Sequence, residues 1–237
     1  DVCSSDLTPP ERVALTASHT HSAPCLLGAA PNIFAAEISA EDTNRIAAYT
    51  DFFVNRVEEV ALAALDARLP SRLSWGQGSA GFARNRRTEG GPVDHDVPLL
   101  RVVGRDGAVR AVLFNYACHC TTLGGDFNRV HGDWSAVAAQ DFERDHPNTV
   151  ALVAIGCGAD ANPNPRGKLE HVEQHGRELA SEAGRLADSR LMELHAAPEC
   201  RLKRIELPFQ PHFTREQWTR RATNSGIVGF HARKWLA

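Results

Sequence analysis

The 237-residue chain has no run of eighteen apolar residues, and crossing a bilayer takes about 20 of them, so no transmembrane segment is expected. Its six cysteines include no Cys-x-x-Cys pair, which argues against a zinc ribbon or a thioredoxin-type redox site. No block of Lys or Arg is present and the formal net charge is −3, so the chain lacks the electrostatic footprint of a nucleic-acid or anionic-membrane binder. Internal repeats and low-complexity tracts are also missing, which excludes solenoids and compositionally driven disorder. Nothing at the amino end reads as a signal peptide. What is present is a 43% hydrophobic composition, enough for a substantial core and most simply one domain.

Periodicity organises that core. Ser39-Ala40-Glu41-Asp42 reads as a capping box after a loop from Pro31 to Ser39. It opens a helix whose Ile46, Tyr49, Phe53, Val57, Val60, Ala64 and Leu65 recur at helical spacing until Pro70, a stripe expected to be core. Leu73 to Gly78 reads as a strand, and Leu99 to Val103 with Val109 to Phe114 flank Asp106-Gly107, a hairpin signal. Ser135 to Arg144 and Leu169 to Arg190 read as helices, and Arg201 to Leu207 as a late strand. The alternation predicts an α/β fold with a mixed β-sheet flanked by helices.

Three segments carry chemistry. Val13-Ala14-Leu15 leads into Ala17-Ser18-His19-Thr20-His21-Ser22-Ala23-Pro24. If that run is a strand, His19 and His21 share a face roughly 7 Å apart. A second apolar run, Ala111 to Tyr116, leads into Ala117-Cys118-His119-Cys120-Thr121-Thr122-Leu123-Gly124. The third, Val150 to Ile155, opens into Gly156-Cys157-Gly158-Ala159-Asp160-Ala161-Asn162-Pro163-Asn164. Polar residues are thus expected at the carboxyl ends of three buried strands, the edge where open α/β sheets bind ligands.

These segments, with Gly81-Phe82-Ala83-Arg84-Asn85-Arg86-Arg87 and His131-Gly132-Asp133-Trp134, resemble in order the signature segments of the neutral/alkaline non-lysosomal ceramidases. The likeness covers about Thr8 to Glu206 and is closest in pattern to the short bacterial relatives of that family. It implies a Zn²⁺ cofactor with His19 and His119 as metal ligands, and catalytic roles for His21, Arg86 and the Asn162 position. It further implies that residues 1–7 are a stub outside the family pattern, that 8–237 is part of a catalytic domain, and that further zinc ligands, a Glu and a Tyr, lie beyond Ala237. At Asn162 the pattern departs from the family, which carries a serine there. An amide is no nucleophile, but it can donate a hydrogen bond to an oxyanion.

The function implied is zinc-dependent hydrolysis of the amide of an N-acyl, ceramide-like small molecule or lipid by metal-activated water. Zinc with one open position lowers the pKa of its water toward about 7. His21, with His131 in reserve, would protonate the leaving amine. The alternative is a catalytically inactive metal-binding or structural module. The sequence does not specify an oligomeric state.

Other polar clusters have plainer readings. His171 and His175 stand four apart on a helix, but the Glu between them is misplaced for a metalloprotease motif, so an exposed polar face is expected. Asp94-His95-Asp96 reads as a strand-entry turn. Cys118, Cys120 and Cys157 are expected to be small buried side chains rather than soft metal ligands. Asp133 has two readings, orienting a ligand histidine or capping the helix near Trp134.

Overall fold

The structure, a computed structural model, describes residues 12–30, 32–196, 199–201 and 203–237. In chain order its elements are α1 (Ala40–Asp66), β1 (Ser71–Ser79), β2 (Ala83–Asn85), β3 (Asp96–Gly104), β4 (Val109–Tyr116), α2 (Asp133–Asp145), β5 (Val150–Ile155), β6 (Ala161–Pro163), α3 (Leu169–Ala187), β7 (Met192–Leu194), α4 (Arg215–Ala222) and α5 (Gly226–Leu236). The described residues fall into two compact units, one made of those within 12–23 and 68–201 and the other of those within 24–67 and 203–237. No helix among the described residues is long and apolar enough to cross a membrane.

The first unit is the expected α/β layer. Its mixed sheet runs β5-β4-β3-β1-β7, antiparallel except for the β4–β5 pair, which is parallel. The β3–β4 hairpin turns through Gly107, whose φ of 84° lies where glycine avoids the Cβ clash of other residues. Parallel strands need a crossover, and α2 supplies it between β4 and β5. Period-two alternation then turns Val112, Phe114 and Tyr116 to a fully buried face. Against it lie α2, which packs on β5, and α3, which packs on β1, β3 and α2. The Phe82 ring packs 4.6 Å from Tyr116 and 5.4 Å from Trp134, centroid to centroid. The Tyr116 hydroxyl donates to Ala80 O (2.8 Å) and accepts from Ala83 N–H (3.1 Å), so the polar tip of this buried ring is satisfied. Off the main sheet, β2 and β6 form a short antiparallel ribbon that sets Arg84 opposite Asn162.

The second unit contains α1, α4 and α5. Ser39 caps α1 as expected, its Oγ accepting from Asp42 N–H at 3.0 Å. The stripe of α1, however, is not core: no residue of this helix is buried, and Val60 is 70% exposed. Periodicity decides which residues share a face, but burial needs an apolar partner surface of similar length. The other helices of this unit, α4 with eight residues and α5 with 11, are too short to cover the 27 residues of α1. A capping box at Thr214 and Gln217 opens α4, and Trp218 of that helix stacks on Trp235 of α5 at 6.3 Å.

Three further expectations are corrected. Residues 13–20 form no strand, and Leu15 is 83% exposed. Residues 203–207 likewise form no strand, with Leu202 outside the described residues. The place beside β1 is taken instead by β7, a three-residue segment too short to announce itself in the sequence. The stub 1–7 also lies outside the described residues.

The third correction is His175, which is fully buried rather than part of an exposed polar face. Its ring stacks on Phe82 at 4.5 Å, and its Nε2 donates to Pro165 O at 2.7 Å. Burial holds its pKa below the usual 6.5, because the charged form loses hydration. The unfolded chain therefore binds more protons as pH drops below about 6.5. Stability is complete above that pH and is lost as pH falls through the depressed folded value. Urea midpoints at about pH 5 and pH 7.5 should differ in this sense, and the gap should shrink in His175→Gln. An undiminished gap in that variant contradicts the assignment.

Candidate metal centre

Because β4 and β5 run parallel with Tyr116 opposite Ile155, the segments that follow them leave the sheet side by side. They are then stitched together. Gly156 N–H donates to Tyr116 O (3.0 Å) and His119 N–H to Ala161 O (3.0 Å). The decisive bond is from His119 Nδ1 to Gly158 O at 2.6 Å. A carbonyl only accepts, so Nδ1 carries the proton and Nε2 keeps its lone pair, the state in which an imidazole binds metal. Trp134 Nε1–H fixes the same residue from behind through His119 O (2.9 Å). A Cβ at position 158 would fall 2.5 Å from Cys118 N and 2.6 Å from Ala117 C, so glycine is what lets the two backbones approach this closely.

Residues 19–22 reach this edge without being a strand. His21 N–H donates to Cys120 O (3.4 Å), His131 N–H to Ser22 O (2.8 Å) and Thr20 Oγ1 to His131 O (2.7 Å). His19 itself adopts a left-handed backbone with φ of 57°, uncommon outside glycine and a source of local strain. That turn replaces strand alternation as the device that gathers the rings. His19 lies 5.0 Å from His21 and 4.6 Å from His119, centroid to centroid, and His21 lies 6.0 Å from His119.

One nitrogen from each of the three histidines lies within 4.8 Å of the others. The Nε2 atoms of His19 and His21 are 3.3 Å apart, close to the roughly 3.4 Å between two nitrogens on a tetrahedral zinc. Partial burial, followed by the charges of neighbouring histidines and Arg86, holds the pKa of both His19 and His21 below 6.5. Neutral imidazoles offer lone pairs, so the donor set fits a transition-metal ion of borderline softness such as Zn²⁺. The His21 nitrogen lies within the same 4.8 Å of the other two.

The other expected residues, Arg86 and Asn162, lie on neighbouring segments. Arg86 donates from Nε and Nη2 to Ala159 O (3.0 and 2.8 Å) and from its backbone N–H to Asp160 O (2.7 Å), while its charge reaches both exposed histidines. Asn162, on β6, accepts from Thr121 Oγ1 through Oδ1 at 3.3 Å, which leaves its amide NH₂ as the donor end. Arg166, which sequence reasoning missed, also contributes positive charge at His21. Its only signal was a charged residue in the Pro/Gly loop after β6.

Asp133 orients no histidine of the cluster. Its carboxylate accepts from Leu123 N–H (3.0 Å) and Trp134 N–H (2.8 Å) at the start of α2, and the orienting partner of His119 is the Gly158 carbonyl instead. Cys118 and Cys120 are buried. Burial pushes the Cys118 thiol far up and that of Cys120 to about 12, which suits packing rather than ligation. Cys157 is exposed, against expectation, because the loop after β5 turns it outward. His95 caps the strand entry as expected, its Nδ1 donating to Ala80 O at 3.0 Å.

The class so defined is an α/β layer that carries a histidine cluster at the carboxyl edge of a parallel strand pair. Its fold is that of neutral ceramidase. A crystal structure of neutral ceramidase from Pseudomonas aeruginosa matches 82% of this chain with a TM-score of 0.59 and 19% identity, over 34% of that protein's chain. A ceramidase complexed with C2 matches 82% of this chain with a TM-score of 0.61 and 19% identity, again over 34% of its own length. The chain thus spans about a third of the length of the structures it matches. No family model and no curated protein sequence matches it.

Gly158→Ala tests the close approach. Its Cβ would press on backbone rather than on a flexible side chain, so it should cost about 1–3 kcal/mol of stability. It should also weaken zinc binding by about 10- to 100-fold by displacing the carbonyl that orients His119. Chemical denaturation and a zinc titration read the two effects, and parental values in both contradict the account.

Proposed function

We propose that this chain is part of a zinc-dependent amidohydrolase of the neutral ceramidase type, acting on an N-acyl, ceramide-like amide. The observation that carries the reading is the convergence of His19, His21 and His119 at the carboxyl edge of a sheet with the neutral ceramidase fold. His19 and His119 would hold the metal. Zinc supplies Lewis-acid polarisation of the carbonyl and activation of water.

The remaining chemistry belongs to side chains. His21, neutral near pH 7 because its pKa is held down, takes a proton at a ring nitrogen as water attacks the carbonyl and returns it to the departing amine nitrogen. Asn162 uses its amide NH₂ to hydrogen-bond the oxygen that gains negative charge, a role favoured by the commitment of its Oδ1 to Thr121. Arg86, tethered through Ala159 O, adds a fixed positive charge that favours the same developing anion.

Each role has its own signature in the complete protein. His119→Ala should abolish acyl-amide hydrolysis and bound zinc, while Cys120→Ser should retain both. Equal zinc loss in the two variants would bring Cys120 into the ligand set. Asn162→Ala should keep zinc but lower kcat by about 100- to 1000-fold, and parental turnover in that variant would refute the oxyanion role. Stoichiometric zinc with no hydrolysis of any N-acyl amide by the parental protein would favour an inactive metal-binding module.

A further inference from the structure

At the opposite end of the sheet from the histidines, beside the amino end of β4, lies a cleft of about 600 Å³. That size is within the usual range for small-molecule sites. Three arginines line it, Arg72 from β1, Arg101 from β3 and Arg190 from the turn after α3, against one carboxylate, Glu193. The register places Arg101 opposite Ser74 and Arg72 opposite Val103, so β1 and β3 present this set on one sheet face.

The charges in this cleft are not compensated within the chain. None of the ion pairs among the described residues involves Arg72, Arg101 or Arg190. Neighbouring arginines do have partners, Arg110 with Asp106 and Arg185 with Glu182. Arg101 is half-buried and held in place: Nε donates to Ser74 Oγ (3.1 Å), and Nη1 to Ala187 O and to Ser189 O (3.2 Å). Carbonyl and hydroxyl oxygens satisfy those N–H groups, but they leave a full positive charge in a partly desolvated place. These bonds leave the two N–H groups of Nη2 free, a charged donor held in a fixed position for an oxyanion.

We propose that this cleft binds a small organic phosphate. The excess of two guanidiniums over carboxylates matches a phosphate dianion better than a single carboxylate. The cleft is also larger than the anion needs, and Val103, Val109 and Leu191 line the remainder, an apolar wall for the organic part of the molecule. The site stands apart from the histidine cluster and is independent of the function proposed for it.

Phenyl phosphate is a suitable probe, titrated calorimetrically into the metal-free full chain at low ionic strength, with phenol and inorganic phosphate as comparison arms. Saturable one-to-one binding is expected for phenyl phosphate, weaker binding for inorganic phosphate and none for phenol. Arg72→Gln and Arg190→Gln, both exposed and therefore tolerant of change, should each weaken phenyl phosphate binding by about tenfold. His119→Ala should leave it unchanged. The proposal is overturned if phenyl phosphate fails to saturate up to about 10 mM, or if inorganic phosphate or phenol binds as well. Parental affinity in both arginine variants, or loss of binding in His119→Ala, overturns it equally.

Discussion

The parallel pairing of β4 with β5 is the constraint from which the candidate centre follows. Antiparallel neighbours send their exits to opposite edges, whereas a parallel pair sends both to the same one. Here that edge receives His119 from one strand and the Gly158 carbonyl from the other, 2.6 Å from His119 Nδ1. The α2 crossover makes the parallel pair possible, and the indole of Trp134 on that helix holds the His119 carbonyl. One topological choice thus fixes the tautomer of a histidine, its backbone and the direction of its free nitrogen.

The cluster is built largely from backbone contacts rather than from carboxylates. Gly158 O orients His119, Ala159 O tethers Arg86 and Cys120 O anchors the His21 backbone. Such a frame keeps negative charge away from the imidazoles. What surrounds them instead is positive charge from Arg86 and, at His21, Arg166. With partial burial, that positive charge holds the pKa of His19 and His21 down and leaves their lone pairs available.

Much of this was legible in the sequence because it depends on local pattern. The hairpin at Asp106-Gly107, the β4 and β5 runs and the Ser39 cap follow from short-range signals, whereas the meeting of His19, His21 and His119 was implied by the ordered family resemblance and not by local pattern. What escaped depends on partners distant in the chain. The α1 stripe has helical period but no matching surface within its unit, and residues 13–20 are apolar at the start yet have no strand to pair with. His175 looked polar because its sequence neighbours are, yet Phe82 and Pro165 bury it. The β2–β6 ribbon, three residues a side, sets Asn162 opposite Arg84 and leaves almost no periodic trace.

The proposal is that His19 and His119, from two separate segments, hold one ion beside His21, with His119 oriented by a backbone carbonyl. Nitrogen-15 NMR of histidine-labelled protein during zinc addition reads this directly. The account predicts that at one equivalent the ring nitrogens of His19 and His119 shift together, that His119 Nδ1 stays protonated, and that His131 and His175 are unmoved. Zinc saturation without a shift at His19 or His119, or with metal on His119 Nδ1, would contradict it.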